Sequence, residues 1–349
     1  MANSIIGWDI GGAHVKAALL NEQGQVVKVS IKACPLWKGL NHLEKAVLTI
    51  MSEFSAQGCS HVITMTGELV DLFDSREQGV NDIVKAMRVY LNSFQIIIYA
   101  GQYGFISSTE VNQKNCLSIA SANWLASASF AASKVETGLF VDIGSTTTDI
   151  LCLNQRQVQA QGFTDYRRLQ TRELVYTGIV RTAVMAVADE AVFNGQKMGL
   201  MAEYFATMAD VYRLTGELNE AHDLTETADG EAKTVLASAR RLSRMTGYDF
   251  NKQDMALWLS FANEIRRQQL EKISNACQLQ LQRLESDSVA LVGAGIGRFL
   301  LENIAGQLKL EYLDFNELVP QAGKLSGVDS ADCAPAVAVV GLALQQQLV

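Results

Sequence analysis

Gly7-Trp-Asp-Ile-Gly-Gly-Ala-His-Val-Lys-Ala-Ala-Leu-Leu-Asn-Glu22 and Phe140-Val-Asp-Ile-Gly-Ser-Thr-Thr-Thr-Asp-Ile-Leu-Cys-Leu-Asn-Gln155 are two versions of one pattern. In a common register Asp9 falls on Asp142, Gly11 on Gly144 and Asn21 on Asn154. The first copy reads as a meander: strands at Ser4–Asp9 and Val15–Leu20 around the Gly11–Gly12 turn, then a third strand at Gln25–Ile31 after the Asn21–Gly24 turn. The second copy falls within Gly138–Gly162. A duplication of this kind implies two related sheets facing one another.

Between the copies, periodicity gives helices at Asn41–Gln57, Val80–Ser93 and Ser118–Lys134, with strands at His61–Met65 and Gln95–Tyr99. Strands alternating with helices indicate an α/β layer structure. After a mixed stretch at Tyr166–Ala188, the segments Met201–Leu214, Gly230–Met245 and Met255–Leu284 read as long helices, a candidate helical subdomain around residues 200–285. The α/β pattern then returns with a strand at Ser288–Val292, a glycine turn at Gly293–Gly297, a helix to Ala305, a strand at Leu308–Leu313 and a closing helix at Ala334–Leu344. The expected division is a first lobe over 1–134 and a second over 135–349.

The chain has 349 residues, and at ~150 residues per domain this suits about two domains. With 29 basic and 37 acidic residues the net charge is −8, so there is no global positive field for nucleic acid or an anionic membrane. Any phosphate must be held locally. The six cysteines form no CxxC pair, which removes zinc knuckles and thioredoxin-type motifs. The amino terminus reaches Asp9 before an apolar stretch long enough for a signal sequence or a membrane span builds up, so a soluble cytoplasmic protein is expected. Homo-oligomer formation is left open.

Each hairpin offers a carboxylate at a strand end followed by a glycine turn. Gly11, Gly12 and Gly144 let backbone N–H groups approach phosphate oxygens, and Ser145, Thr146 and Thr147 add hydroxyl donors. Asp9 and Asp142 suit a hydrated Mg²⁺ bridging carboxylate and phosphate, and Lys16 can neutralise remaining charge. Either hairpin alone is equally well read as a plain turn. The late cluster Val289-Ala-Leu-Val-Gly-Ala-Gly-Ile-Gly-Arg-Phe-Leu300 can set Gly293 and Gly295 against a phosphate or adenosine at a helix start, or be a tight turn without ligand. Its G-x-G-x-G spacing is not a dinucleotide fingerprint.

Candidate groups for a second substrate are Glu68 and Asp71 after the His61–Met65 strand, Arg181, and Glu203 with Asp210, about two turns apart on one predicted helix. A carboxylate there can remove a proton or bind an ammonium; Glu68 also reads as a helix cap. His14 in the first turn would make phosphate affinity depend on pH near ~6.5. Trp124 reads as core with an aromatic face available to a cation, and Arg240, Arg241 and Arg244 as a solvated face.

The paired Asp-Ile-Gly hairpins with a late glycine-rich turn resemble the superfamily of acetate and sugar kinases, heat-shock chaperone ATPases and actin, in its hydantoinase and oxoprolinase branch. Thr66-Gly-Glu-Leu-Val-Asp71, Asn123-Trp-Leu-Ala126, Asp142-Ile-Gly-Ser-Thr-Thr-Thr-Asp149, Tyr176-Thr-Gly-Ile-Val-Arg-Thr182 and Met201-Ala-Glu-Tyr-Phe-Ala-Thr-Met-Ala-Asp210 together resemble the tetrahydromethanopterin-linked C1-transfer proteins, a group with aryl ether synthases of methanofuran and methylofuran biosynthesis. The resemblance spans nearly the whole chain. It implies an α/β fold of duplicated ribonuclease H-like, actin-like ATPase lobes facing a central cleft, with a helical insertion. It also implies a transferase in which a furfuryl diphosphate loses pyrophosphate to the phenol oxygen of a glutamyl-tyramine or tyrosine-type acceptor. Glu68, Arg181 and Glu203 would then serve the catalytic and acceptor side, with Mg²⁺ at Asp9 and Asp142. An ATP-dependent kinase or hydrolase, with ATP on the same hairpins, and a nucleotide-gated binding protein without turnover remain alternatives.

Overall fold

The computed structural model describes residues 4–55, 58–92, 95–286, 288–325 and 327–349. The expected helix ends at Gln57 and Ser93 lie outside these residues.

The first lobe opens with the expected meander, β1 (Ile5–Ile10), β2 (His14–Leu20) and β3 (Val26–Ala33). It continues through α1 (Leu40–Phe54), β4 (Ser60–Met65), α2 (Arg76–Leu91), β5 (Ile96–Tyr99) and β6 (Phe105–Ser107). The sheet order is β3-β2-β1-β4-β5-β6, with β1, β4 and β5 parallel to one another. All six residues of β1 are buried, as both faces of a central strand require. On the outer face α1 presents Leu43, Ala46, Val47, Ile50 and Phe54 to the core at helical spacing. Ser75 caps α2 by accepting from the Gln78 N–H at 3.1 Å.

The expected helix at Ser118–Lys134 is two helices, α3 (Gln113–Ile119) and α4 (Asn123–Lys134), broken at residues 120–122. Ser121 stands at the break with a φ of 51°.

The second copy begins at β7 (Gly138–Ile143) and β8 (Thr148–Asn154), with a two-residue third strand, β9 (Gln157–Val158). Then come α5 (Asp165–Thr171), β10 (Leu174–Val175), α6 (Val184–Val187) and a separate hairpin of β11 (Glu190–Phe193) and β12 (Gln196–Gly199). The helical part holds α7 (Met208–Thr215), α8 (Val235–Thr246) and α9 (Met255–Leu281). The chain closes with β13 (Ala290–Ala294), α10 (Leu301–Leu308), β14 (Glu311–Asp314) and α11 (Ala334–Gln345). The sheet runs β10-β8-β7-β13-β14, so β7, β8, β13 and β14 repeat the arrangement of β1, β2, β4 and β5. Both α7 and α8 start later than the periodicity suggests, because Thr207 and Thr234 cap them.

Helix α11 crosses back from the second half of the sequence to pack on β1, β2 and β4 beside α4. The two helices fill the space between the sheets, in one core with Ile5, Leu20, Phe140 and Leu151. Close approach depends on glycine: a Cβ on Gly7 would lie 1.8 Å from the Ala336 carbonyl oxygen. The architecture is thus a duplicated ribonuclease H-like, actin-like α/β fold in which the hairpin turns of both sheets open onto one cleft.

Candidate active site between the duplicated hairpins

The register of the two hairpins is the same residue for residue. Asp9 pairs with Lys16 across β1 and β2, and Asp142 with Asp149 across β7 and β8. Each turn is closed by one bond of 2.9 Å, from the Gly11 N–H to the His14 carbonyl and from the Gly144 N–H to the Thr147 carbonyl. Those two amides are therefore committed, which leaves the later amides of each turn, and the hydroxyls of Ser145, Thr146 and Thr147 in the second, as the donors a ligand could use.

A cavity of about 620 Å³ lies between the lobes. The sequence-derived candidates Asp9, Gly11, Gly12, Lys16, Asp142, Gly144, Ser145, Thr146, Thr147 and Arg181 all line it. Burial pushes Asp9 up to about 6 and Asp142 up to about 7, although Lys16 pulls both down. Burial also works against the Lys16 ammonium, but Asp142 and Asp9 outweigh it and hold its pKa above the ordinary value. Asn123 Nδ2 donates to Asp9 Oδ1 at 3.4 Å. Arg181 Nη1 donates to Thr146 Oγ1 at 3.3 Å, and its guanidinium lies 5.5 Å from the Trp37 ring centroid. This arginine of the second lobe thereby reaches an aromatic residue of the first.

Among the described residues no group of three His, Cys, Asp or Glu side chains gathers to hold a metal. Two carboxylates coupled to one ammonium fit a cation that brings most of its own ligands. Mg²⁺ behaves so, taking one or two carboxylates together with waters and phosphate oxygens. The donor set suits a magnesium diphosphate.

Several candidates sit elsewhere. Glu203 is exposed in a bend before α7, so it shares no helix face with Asp210 and does not line the cavity. Asp210 is buried: it accepts from the Thr207 N–H in a capping box and from Ser238 and Arg241. Arg241 is fully buried between Asp210 and Asp229, not on a solvated face. Gly293 and Gly295 lie outside the cavity lining. Gly293 packs under Tyr312, and Gly295, at a φ of 81°, fits so closely that a Cβ would fall 2.2 Å from Asp142 Oδ1. His14 lines the cavity, but burial, with Lys16 and Arg181 nearby, drops its pKa to about 4. It is neutral at pH 7 and does not titrate near 6.5. Asp71 stands on the exposed rim.

Glu68 is buried in a one-turn helix at Gly67–Leu69, behind the cavity wall. Its Oε1 accepts from Ser121 Oγ at 2.8 Å, and burial lifts its pKa to about 7. A carboxyl raised in this way stabilises the fold below the unfolded pKa of about 4.5, and that contribution is lost as pH rises through 7. Glu68→Gln removes the titration. We expect the variant to gain on the order of 2 kcal/mol relative to wild type between pH 5 and pH 8. Thermal unfolding at both pH values checks it, and a constant difference would show that Glu68 ionises freely.

The far wall contains residues that the motif reading passed over. Arg168 is buried, donates from Nη2 to Asp149 Oδ1 at 2.6 Å, and places its guanidinium 3.9 Å from the Trp124 ring centroid. One face of Trp124 is thus already covered by a cation. Asp165 pairs with Arg76 at 2.7 Å across the lobes. Asp149 was discoverable, since it occupies the position of Lys16 in the duplicated register. The pairing of Arg168 with Trp124 joins distant segments and left no local signal.

A family model for hydantoinase/oxoprolinase matches residues 60–334. The chain belongs to this family. The (4-{4-[2-(γ-L-glutamylamino)ethyl]phenoxymethyl}furan-2-yl)methanamine synthase of Methanocaldococcus jannaschii is 30% identical over 292 residues, covering 83% of this chain and 86% of its own. The synthase of the same name from Methanococcus vannielii is 31% identical over 114 residues, 33% of this chain and 51% of that protein. With relatives named as synthases, this family member is an enzyme. The nucleotide-free structure of acetone carboxylase aligns with 84% of this chain and 65% of its own, with a TM-score of 0.52 at 9% identity, a likeness of fold. Among the described residues no helix is long and apolar enough to cross a membrane.

Proposed function

We propose that this enzyme joins a furfuryl carbon to a phenol oxygen with release of pyrophosphate, in the assembly of a methanofuran-type cofactor. The observation that carries the reading is the mixed lining of the one cavity. Glycine turns, hydroxyls, Lys16 and Arg181 line it together with the aromatic side chains of Trp37, Trp124 and Tyr176. A diphosphate needs the first set of groups and a pair of small rings the second. The relatives' names supply the matching product, a phenoxymethyl furan carrying an aminomethyl group.

The chemistry asks little covalent help of the protein. The bond between the furfuryl methylene and the diphosphate oxygen breaks with its electron pair going to oxygen, the phenol oxygen bonds to the methylene, and the phenolic proton leaves to a base. Mg²⁺, when carried in by the diphosphate and met by Asp9 and Asp142, would supply neutralisation of the leaving group. Lys16 adds a fixed positive charge at the same end, and Arg181 with the hydroxyls of Ser145, Thr146 and Thr147 orients the phosphate oxygens.

The test supplies the protein and Mg²⁺ with an aminomethylfuran-methyl diphosphate and γ-glutamyltyramine, and in parallel with ATP. Pyrophosphate and aryl ether in equal amounts are expected. Release of ADP that depends on an added small molecule, with no ether, would replace this reading by a kinase or ATP-dependent hydrolase.

A further inference from the structure

We propose that the Ser121 hydroxyl receives the phenolic proton of the acceptor while passing its own proton to Glu68 behind it. The inference rests on the ether-synthase reading and assigns the base that this reading requires.

Ser121 lines the cavity, whereas Glu68 does not and is 1% exposed. Glu68 therefore cannot touch a substrate, and its one route to the cavity is the 2.8 Å hydrogen bond donated by Ser121 Oγ. A hydroxyl that donates inward keeps its lone pairs for a donor on the cavity side, and a phenol O–H is such a donor. The backbone is arranged for this contact. Ser121 adopts a left-handed φ of 51° in the break between α3 and α4, a conformation uncommon for a residue other than glycine. The Glu68 end is equally fixed: Gly79 of α2 packs so closely that a Cβ there would lie 2.8 Å from the Glu68 Cα.

The other carboxylates of the cavity are less suited to the task. Asp149 is held by Arg168 at 2.6 Å and Asp165 by Arg76 at 2.7 Å, so each already commits a carboxylate oxygen to an arginine. Asp9 and Asp142 share Lys16 at the diphosphate end. The neutral His14 ring is held a poor base by burial and by nearby Lys16 and Arg181. Among the described residues no hydrogen bond reaches Glu68 Oε2, so the carboxylate has room for a proton. The charged groups facing Glu68 are Arg76 of α2, which is engaged with Asp165, and Asp165 of α5, which also lies 3.4 Å from Ser121 Oγ. Burial and Asp165 raise the Glu68 pKa to about 7, while Ser121 and Arg76 oppose them, which places it near neutral pH for proton transfer.

The step balances simply. The phenolic proton moves to Ser121 Oγ, the serine proton moves to Glu68 Oε1, the phenol oxygen bonds to the furfuryl methylene, and pyrophosphate departs with the electron pair. Glu68 then returns the proton through Ser121 to water once the product has left.

The test follows ether formation by the full-length protein with γ-glutamyltyramine and with an analogue bearing nitro groups on both carbons beside the phenol, which is ionised at neutral pH. Ser121→Ala keeps the Cβ that serine already carries at this φ. The expected result is a kcat lower by about 100-fold or more with the ordinary phenol, an unchanged KM, and near wild-type turnover of the nitrophenol. Glu68→Gln should share that pattern and lose the rise of kcat with pH that the relay requires of wild type around neutrality. Unchanged kcat in both variants, or an equal loss with both phenols, overturns the relay. If wild type forms no ether with either phenol, the ether-synthase reading itself falls and the relay falls with it.

Discussion

Lys16→Met is expected to lower kcat/KM by about a thousandfold or more while the protein stays folded. Lys16 is the shared partner of Asp9 and Asp142, and methionine keeps the length of the side chain without its charge. Two buried carboxylates deprived of that ammonium shift toward their protonated forms, which spares the fold the cost of buried charge. The same shift removes the ionised oxygens that a magnesium diphosphate needs. Pyrophosphate binding in the presence of Mg²⁺, measured by calorimetry, should weaken in step with activity. Unaltered binding and turnover would place the phosphate site away from Lys16.

How much of this site the sequence discloses depends on whether a group's partners are local. The duplicated hairpins are legible because strand periodicity and a common register fix both the pairing and the turn. Asp9 opposite Lys16 and Asp142 opposite Asp149 follow from counting residues. The start of α7 was also written locally, in Thr207 and Asp210 as a capping box, but apolar periodicity alone extended the helix back over Glu203. That extension brought Glu203 and Asp210 together on one face, where the structure separates an exposed bend from a buried cap.

Other features had no local signature. The stretch from Ser118 to Lys134 contains no proline or glycine, so propensity joins α3 to α4, and only tertiary packing opens the break that carries Ser121. Arg241 lies beside Arg240 and within four residues of Arg244, which suggests a basic surface. Its partner Asp210 is thirty-one positions away, and that distance conceals a buried ion pair. The apolar run of α11 announces burial without saying where. Its return to the first sheet follows from Gly7, whose missing side chain admits the Ala336 backbone.

The two late glycines give the second large effect, because the structure separates roles that the sequence merges. Gly295→Ala should unfold several degrees lower and bind magnesium pyrophosphate more weakly, whereas Gly293→Ala should lose stability alone. At Gly295 the φ of 81° costs an alanine about 1–2 kcal/mol before any contact is considered. Its Cβ would then fall 2.2 Å from Asp142 Oδ1 and 2.4 Å from the Ile143 carbonyl oxygen. Relief by backbone movement is blocked on two sides, since the Gly295 N–H bonds to Ala331 at 2.9 Å and the Gly297 N–H to Ile143 at 2.8 Å. The Asp142 side chain must leave its position, and the Ile143 carbonyl must shift with it. At Gly293 the added Cβ meets the Tyr312 ring and Leu301, away from the cavity, so Asp142 keeps its place. Thermal unfolding and calorimetry on the two variants measure both quantities. If both lost pyrophosphate affinity equally, the glycines would contact phosphate through their own backbone, and the packing role of Gly295 against Asp142 would be refuted.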